Sequence, residues 1–112
     1  MRTTSEEELQ AVLRLEGPAR FEHFVKRVVD EERAWGLWRE GWAMMARDDG
    51  AKIFPLWPAR EYAEQLRTGE WSTYESAEIP LQDLLKELLP QFEVRDVYPG
   101  VFPTPGGKGV VV

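Results

Sequence analysis

The chain has 112 residues, 43 % of them apolar and 30 % charged, the size and balance of one globular domain with its own core. Twenty Asp and Glu against fourteen Lys and Arg leave a net charge of −6, which argues against a general binder of nucleic acid or anionic membranes, because phosphate contacts need clustered cations. With no Cys and one His, disulfides, thiolate catalysis, zinc fingers and iron–sulfur clusters are excluded, and histidine-based metal sites nearly so.

The start, Met1 to Glu8, is polar and acidic, with no apolar stretch behind a basic end. Nowhere do about 18 apolar residues run together. No targeting segment or membrane span is expected, and the cytoplasm follows by default. Residues 1–16 read as an N-terminal helix: Ser5 caps it, Glu8 stands at capping-box spacing, and Leu9, Val12 and Leu13 form its stripe. Gly17 stops it and Pro18 opens a second helix. There Phe21, Phe24, Val25, Val28 and Val29 recur at helical spacing, which predicts one core face. Glu22, His23, Lys26, Arg27, Asp30 and Glu31 are left for water.

After Arg33 the pattern shortens to runs rich in Trp and Met. Ala34–Arg39, Trp42–Arg47 and Ala51–Leu56 read as strands, joined by turns at Glu40-Gly41 and Asp48-Asp49-Gly50. They predict a central three-strand antiparallel meander. Pro58 opens a third helix over residues 59–68, which Gly69 caps. Ala77–Ile79 is a short strand, and Leu81, Leu84, Leu85, Leu88 and Leu89 make a fourth helix that Pro90 closes. Phe92–Tyr98 reads as a strand, Pro99-Gly100 as a turn, and residues 104–112 as a loop and terminal strand. The order predicts an α+β fold: one two-layer domain over residues 1–112, with about four helices on a mainly antiparallel sheet.

This ordered set has a recognisable shape. Phe21-Glu22-His23-Phe24 leads to Ala34-Trp35-Gly36-Leu37 and Gly41-Trp42-Ala43. Phe54-Pro55-Leu56-Trp57-Pro58, Glu61-Tyr62-Ala63 and Gly69-Glu70-Trp71 follow, then Ile79-Pro80-Leu81, Leu88-Leu89-Pro90, Val101-Phe102-Pro103-Thr104-Pro105 and Gly109-Val110-Val111-Val112. In this the chain resembles the small bacterial proteins grouped as domain-of-unknown-function 2750, over nearly its whole length. The resemblance implies a single-domain cytosolic bacterial protein and carries over no activity, cofactor or catalytic residue. Many members of that group continue past the last strand with a polar helix, so a chain ending at Val112 is expected to lack it or to be a short form.

Reactive constellations are scarce. Gly106-Gly107-Lys108-Gly109 fails the phosphate-loop spacing and precedes a Val strand where that loop needs a helix. Asp48 and Asp49 suit a cation or an acid–base pair, but a hairpin turn needs the same residues, and no further oxygen ligands stand nearby. Glu61 and Glu64 share a helix surface with Arg60 and Arg67, the pattern of ordinary charge pairing. His23 lacks an assignable carboxylate and nucleophile. No metal and no cofactor are expected.

The tryptophans carry more information. Alternation sets Trp35 and Leu37 on one side of the meander and Gly36 and Trp38 on the other; a Glu40-Gly41 turn then faces Trp38 to Ala43 and Trp42 to Arg39. Helices on both sides make all five Trp core. Helices on one side leave Trp38 and Met45 as an exposed apolar patch, with Trp57 and Trp71 flanking the helix that bears Tyr62. Trp38, Met45, Trp57, Tyr62 and Trp71 are therefore the candidate contact residues. The expected function is a non-catalytic binding or adaptor module with an acid-rimmed, Trp-bearing surface suited to a basic protein partner. One alternative is a small hydrolase or transferase with Asp48, Asp49, Glu61 or Glu78 converging on a pocket, which requires raised carboxyl pKa values. Another is a structural homodimer joined through Val110–Val112, a strong strand former.

Overall fold

A computed structural model describes residues 4–47, 49–103 and 110–111 of the chain; Asp48, the Gly106–Gly109 loop and Val112 lie outside the described residues. The fold is α+β. Helix α1 (Glu6–Leu13) is capped as the sequence predicts, Ser5 Oγ accepting the Glu8 N–H at 3.1 Å, and it buries Leu9 and Val12. Helix α2 (Gly17–Glu31) has Pro18 in its first turn and ends at Glu32, whose backbone is left-handed.

Helix α2 is rotated about its axis from the predicted orientation. Arg20, Phe24, Arg27 and Val28 are buried, while Val25 and Val29 are 42 % and 60 % exposed. The cause lies opposite the helix. The His23 ring meets the rings of Tyr62 and Phe102, at 6.1 and 6.2 Å, and the Arg27 guanidinium lies over the Tyr62 ring. An aromatic wall of this kind accepts flat cationic and imidazole groups as readily as valine.

Strand β1 (Arg33–Trp38) does not join its sequence neighbours in a meander. Along one edge it pairs antiparallel with β4 (Glu75–Pro80), from Arg33 opposite Pro80 to Trp38 opposite Glu75. Along its other edge Trp35 exchanges both backbone hydrogen bonds with Trp57, at 2.8 Å each, and Ala43 N–H reaches Leu37 O. Both edges are thus filled, so the chain leaves β1 after a single bridge between Trp38 and Trp42. The second predicted strand shrinks to β2 (Met45–Ala46), which pairs antiparallel with β3 (Lys52–Leu56). Strand β3 in turn lies parallel to β5 (Val97–Val101), and β5 pairs antiparallel with β6 (Val110–Val111). The result is a sheet of order β2-β3-β5-β6 stitched to the β1-β4 pair at Trp35 and Trp57.

Helix α3 (Arg60–Glu64) is shorter than predicted and packs on β1 and β4; a 3₁₀ turn (Gly69–Trp71) follows it. Helix α4 runs past Pro90, through Leu81–Asp83, a π-helical turn at Leu84–Leu88 and Leu89–Arg95. A proline lacks an N–H and crowds the carbonyl four residues back. The wider turn just before it, in which Leu89 N–H reaches Leu84 O five residues back, lets the helix pass. The strand expected from Phe92 therefore begins only at Val97, after a left-handed Asp96. Pro99-Gly100 lies inside β5 and is no turn: a Cβ on Gly100 would fall 2.4 Å from Ile53 Cγ2, and glycine lets the two parallel strands close. Among the described residues no helix is long and apolar enough to cross a membrane.

Candidate functional site

The two indoles that sequence alternation set on opposite sides of the hairpin stand together. The turn holds Arg39, Glu40 and Gly41, with Glu40 left-handed and Arg39 N–H bonded to Gly41 O, so Trp38 is bridged to Trp42 and not to Ala43. Their rings meet edge to face at 5.0 Å and 79°. Trp42 lies over Gly36, where a Cβ would stand 3.0 Å from two of its ring carbons. It also touches Phe54, at 5.7 Å, and Phe54 touches Phe92 of α4, at 4.9 Å. This aromatic row leads out of the core and ends at Trp38, which is 43 % exposed.

The other candidate contact residues divide. Trp57 and Tyr62 are fully enclosed and leave the surface. Trp57 donates its indole N–H to Pro103 O at 2.9 Å, and Tyr62 packs on Phe102 at 4.8 Å. Trp71 is half-buried with its ring 6.4 Å from that of Trp57. Met45 is half-buried opposite Ile53, and its neighbour Met44 is exposed.

The carboxylates stand on separate elements. Asp49 belongs to the β2–β3 turn, where it takes two hydrogen bonds from Arg47, at 3.2 and 2.9 Å, and one from Ala51 N–H. The Arg47 hydrogen bond, aided by Ala51, holds the Asp49 carboxyl below the usual carboxylate range, and the same bond raises Arg47. An acid held ionised in this way is no proton donor near neutral pH. Asp49, Arg47, Lys52, Arg95, Asp96 and Tyr98 line an open cleft of about 520 Å³; neither Glu61 nor Glu78 reaches it. Glu78 pairs with Arg33 at 3.2 Å, and Glu61 is half-buried on α3. Burial pushes Glu64 up, but hydrogen bonds from Ser76 and Arg67, with the charges of Arg67 and Arg60, outweigh it and lower the pKa. Among the described residues no three His, Asp or Glu side chains are grouped to hold a metal ion.

A family model described as "Protein of unknown function (DUF2750)" matches residues 21–112. The chain belongs to that family. No curated protein and no solved structure matches it. The whole aromatic row from Trp38 to Phe92 falls inside the DUF2750 match, whereas α1 and Arg20 precede it.

Sequence reasoning missed the polar side of α2 in this DUF2750 chain. Arg27 is 3 % exposed, with Nε 3.0 Å from Glu31 and one terminal nitrogen 3.8 Å from Glu8 of α1. Arg20 donates to Leu15 O at 2.6 Å, and His23, expected in water, is half-buried among the rings. The one available signal was the spacing of Arg20, His23 and Arg27 at i, i+3 and i+7, which places them on one face.

Proposed function

We propose that this DUF2750 protein is a small, non-catalytic recognition module of the bacterial cytosol, which docks another protein on the face around Trp38. The observation that supports this reading is an indole left in water at the end of a row whose other members are packed. Exposed aromatic side chains that are already held in place lose little conformational freedom on binding, and Trp is, with Tyr and Arg, enriched at the energetic centre of interfaces. Met44, also exposed, adds an adaptable apolar neighbour on the same stretch of chain.

The test is capture from a lysate of the source cell with the tagged protein and with a Trp38→Ala variant of unchanged circular dichroism. The captured partner is then purified and its affinity for both forms measured. Loss of a central indole is expected to weaken binding by about thirtyfold or more. A partner that binds the variant as well as the wild type, or no partner that rebinds once purified, refutes the reading.

A further inference from the structure

Three side chains stand in a row across three neighbouring backbone segments. Glu75 on β4 is directly opposite Trp38, and Trp38 is bridged on its other side to Trp42. Directly opposed residues of an antiparallel pair share a face, with Cβ atoms about 4.5–5.5 Å apart. The row therefore places a carboxylate, an exposed indole and a second indole side by side, the two rings standing at 79° as adjoining walls. Trp42 is fixed by Gly36 beneath it and Phe54 beside it, so the corner exists before any ligand arrives.

We infer that Trp38, Trp42 and Glu75 form a receptor for an arginine side chain of a basic partner segment, an inference that rests on Trp38 being the contact face. An indole carries negative potential over its ring and is the strongest of the aromatic partners for a cation. A guanidinium is flat, weakly hydrated and able to stack on one ring while its N–H fork meets a carboxylate, which an ammonium does less well. Glu75 supplies that carboxylate, and Glu40 in the adjoining turn adds a second negative charge. Arg39, next to Trp38 in the chain, has its guanidinium donating to Thr73 Oγ1 at 2.6 Å, two residues before Glu75, so its charge is one that the partner's arginine must outcompete. Beyond the corner, the net charge of −6 draws a basic segment toward the protein and repels an acidic one.

Titration of the full chain with ethylguanidinium, followed by the indole N–H resonances, tests the inference. Saturable shifts are expected for Trp38 and Trp42 and none for enclosed Trp57. Ethylurea, of like shape but uncharged, is expected to leave all three unmoved. Glu75→Gln is expected to weaken the response by about threefold or more, and Trp38→Leu to abolish it. No saturable shift, an equal response to ethylurea, or an unchanged response in Glu75→Gln overturns the inference. Failure here, beside a purified partner that still depends on Trp38, removes the arginine specificity and leaves the contact face. A successful titration beside a partner indifferent to Trp38 does the reverse.

Discussion

Gly36 decides where the aromatic row lies. A methyl group there would meet two carbons of the Trp42 ring at 3.0 Å, and that ring also packs on Phe54 and Trp38, so it yields only by disturbing those contacts. Gly36→Ala is therefore expected to destabilise the protein by about 1–3 kcal/mol, the usual cost of overpacking. The urea midpoint should fall at constant slope. The near-ultraviolet dichroism should change as Trp42 and its neighbour Trp38 lose their fixed contact. An unchanged midpoint and spectrum would mean that Trp42 is loosely held. At this scale the sequence was legible where alternation alone decides: Gly36 and Trp38 do share a side. It was illegible where the answer depends on which element arrives opposite. Trp57 and Trp38 look alike as residues, yet one is sealed by its bond to Pro103 O and the other ends a row. Arg27 is harder still, because its burial depends on Glu31, Glu8 and Tyr62, which come from three different elements.

Elements were legible from caps and spacing, and misread where a backbone rule had a local exception. Ser5 and the Glu6–Glu8 turn set the start of α1 where the sequence put it. Pro90 and Pro99-Gly100, each a reliable break in isolation, both lie inside elements, one after a π-helical turn and the other where two parallel strands close on a glycine. The helix ends show the opposite economy. Helix α2 stops at Glu32 and α4 at Asp96, with φ of 58° and 55°, in the conformation that glycine usually supplies at this position. Because an L side chain in that region costs about 1–2 kcal/mol, and glycine gives part of that back through its freer unfolded chain, Glu32→Gly and Asp96→Gly are each expected to stabilise by about 0.5–1 kcal/mol. Chemical denaturation of the two single variants and the double variant checks this. The caps are far apart in sequence and end different helices, so their effects should add. A loss of stability at either site would show that the side chain does more there than tolerate the backbone.

For the molecule as a whole, charge works in two directions as pH falls. A net charge of −6 at neutral pH repels itself, and protonation of carboxylates relieves that repulsion. Against this stand Asp49 and Glu64, whose folded-state pKa values lie below the usual carboxylate range, through Arg47 and Ala51 in one case and through Ser76, Arg67 and Arg60 in the other. A carboxyl with a depressed folded pKa adds stability that is complete above its unfolded pKa, near 4, and drains away as pH falls toward the folded value. The two tendencies overlap in a single melting profile, and wild type alone cannot separate them. Variants can. Asp49→Asn and Glu64→Gln each remove one negative charge and one set of hydrogen bonds, so at pH 7 they should melt below wild type, by a small margin because Asp49 is exposed and Glu64 only partly buried. Between about pH 4.5 and pH 2 the margin should close, since wild type then loses the same interactions by protonation. Melting temperatures of the three proteins across that range decide the matter. A margin that stays constant down to pH 2 would mean that Asp49 and Glu64 keep ordinary pKa values, and that the Arg47–Asp49 clasp beside the β2–β3 turn holds nothing in place.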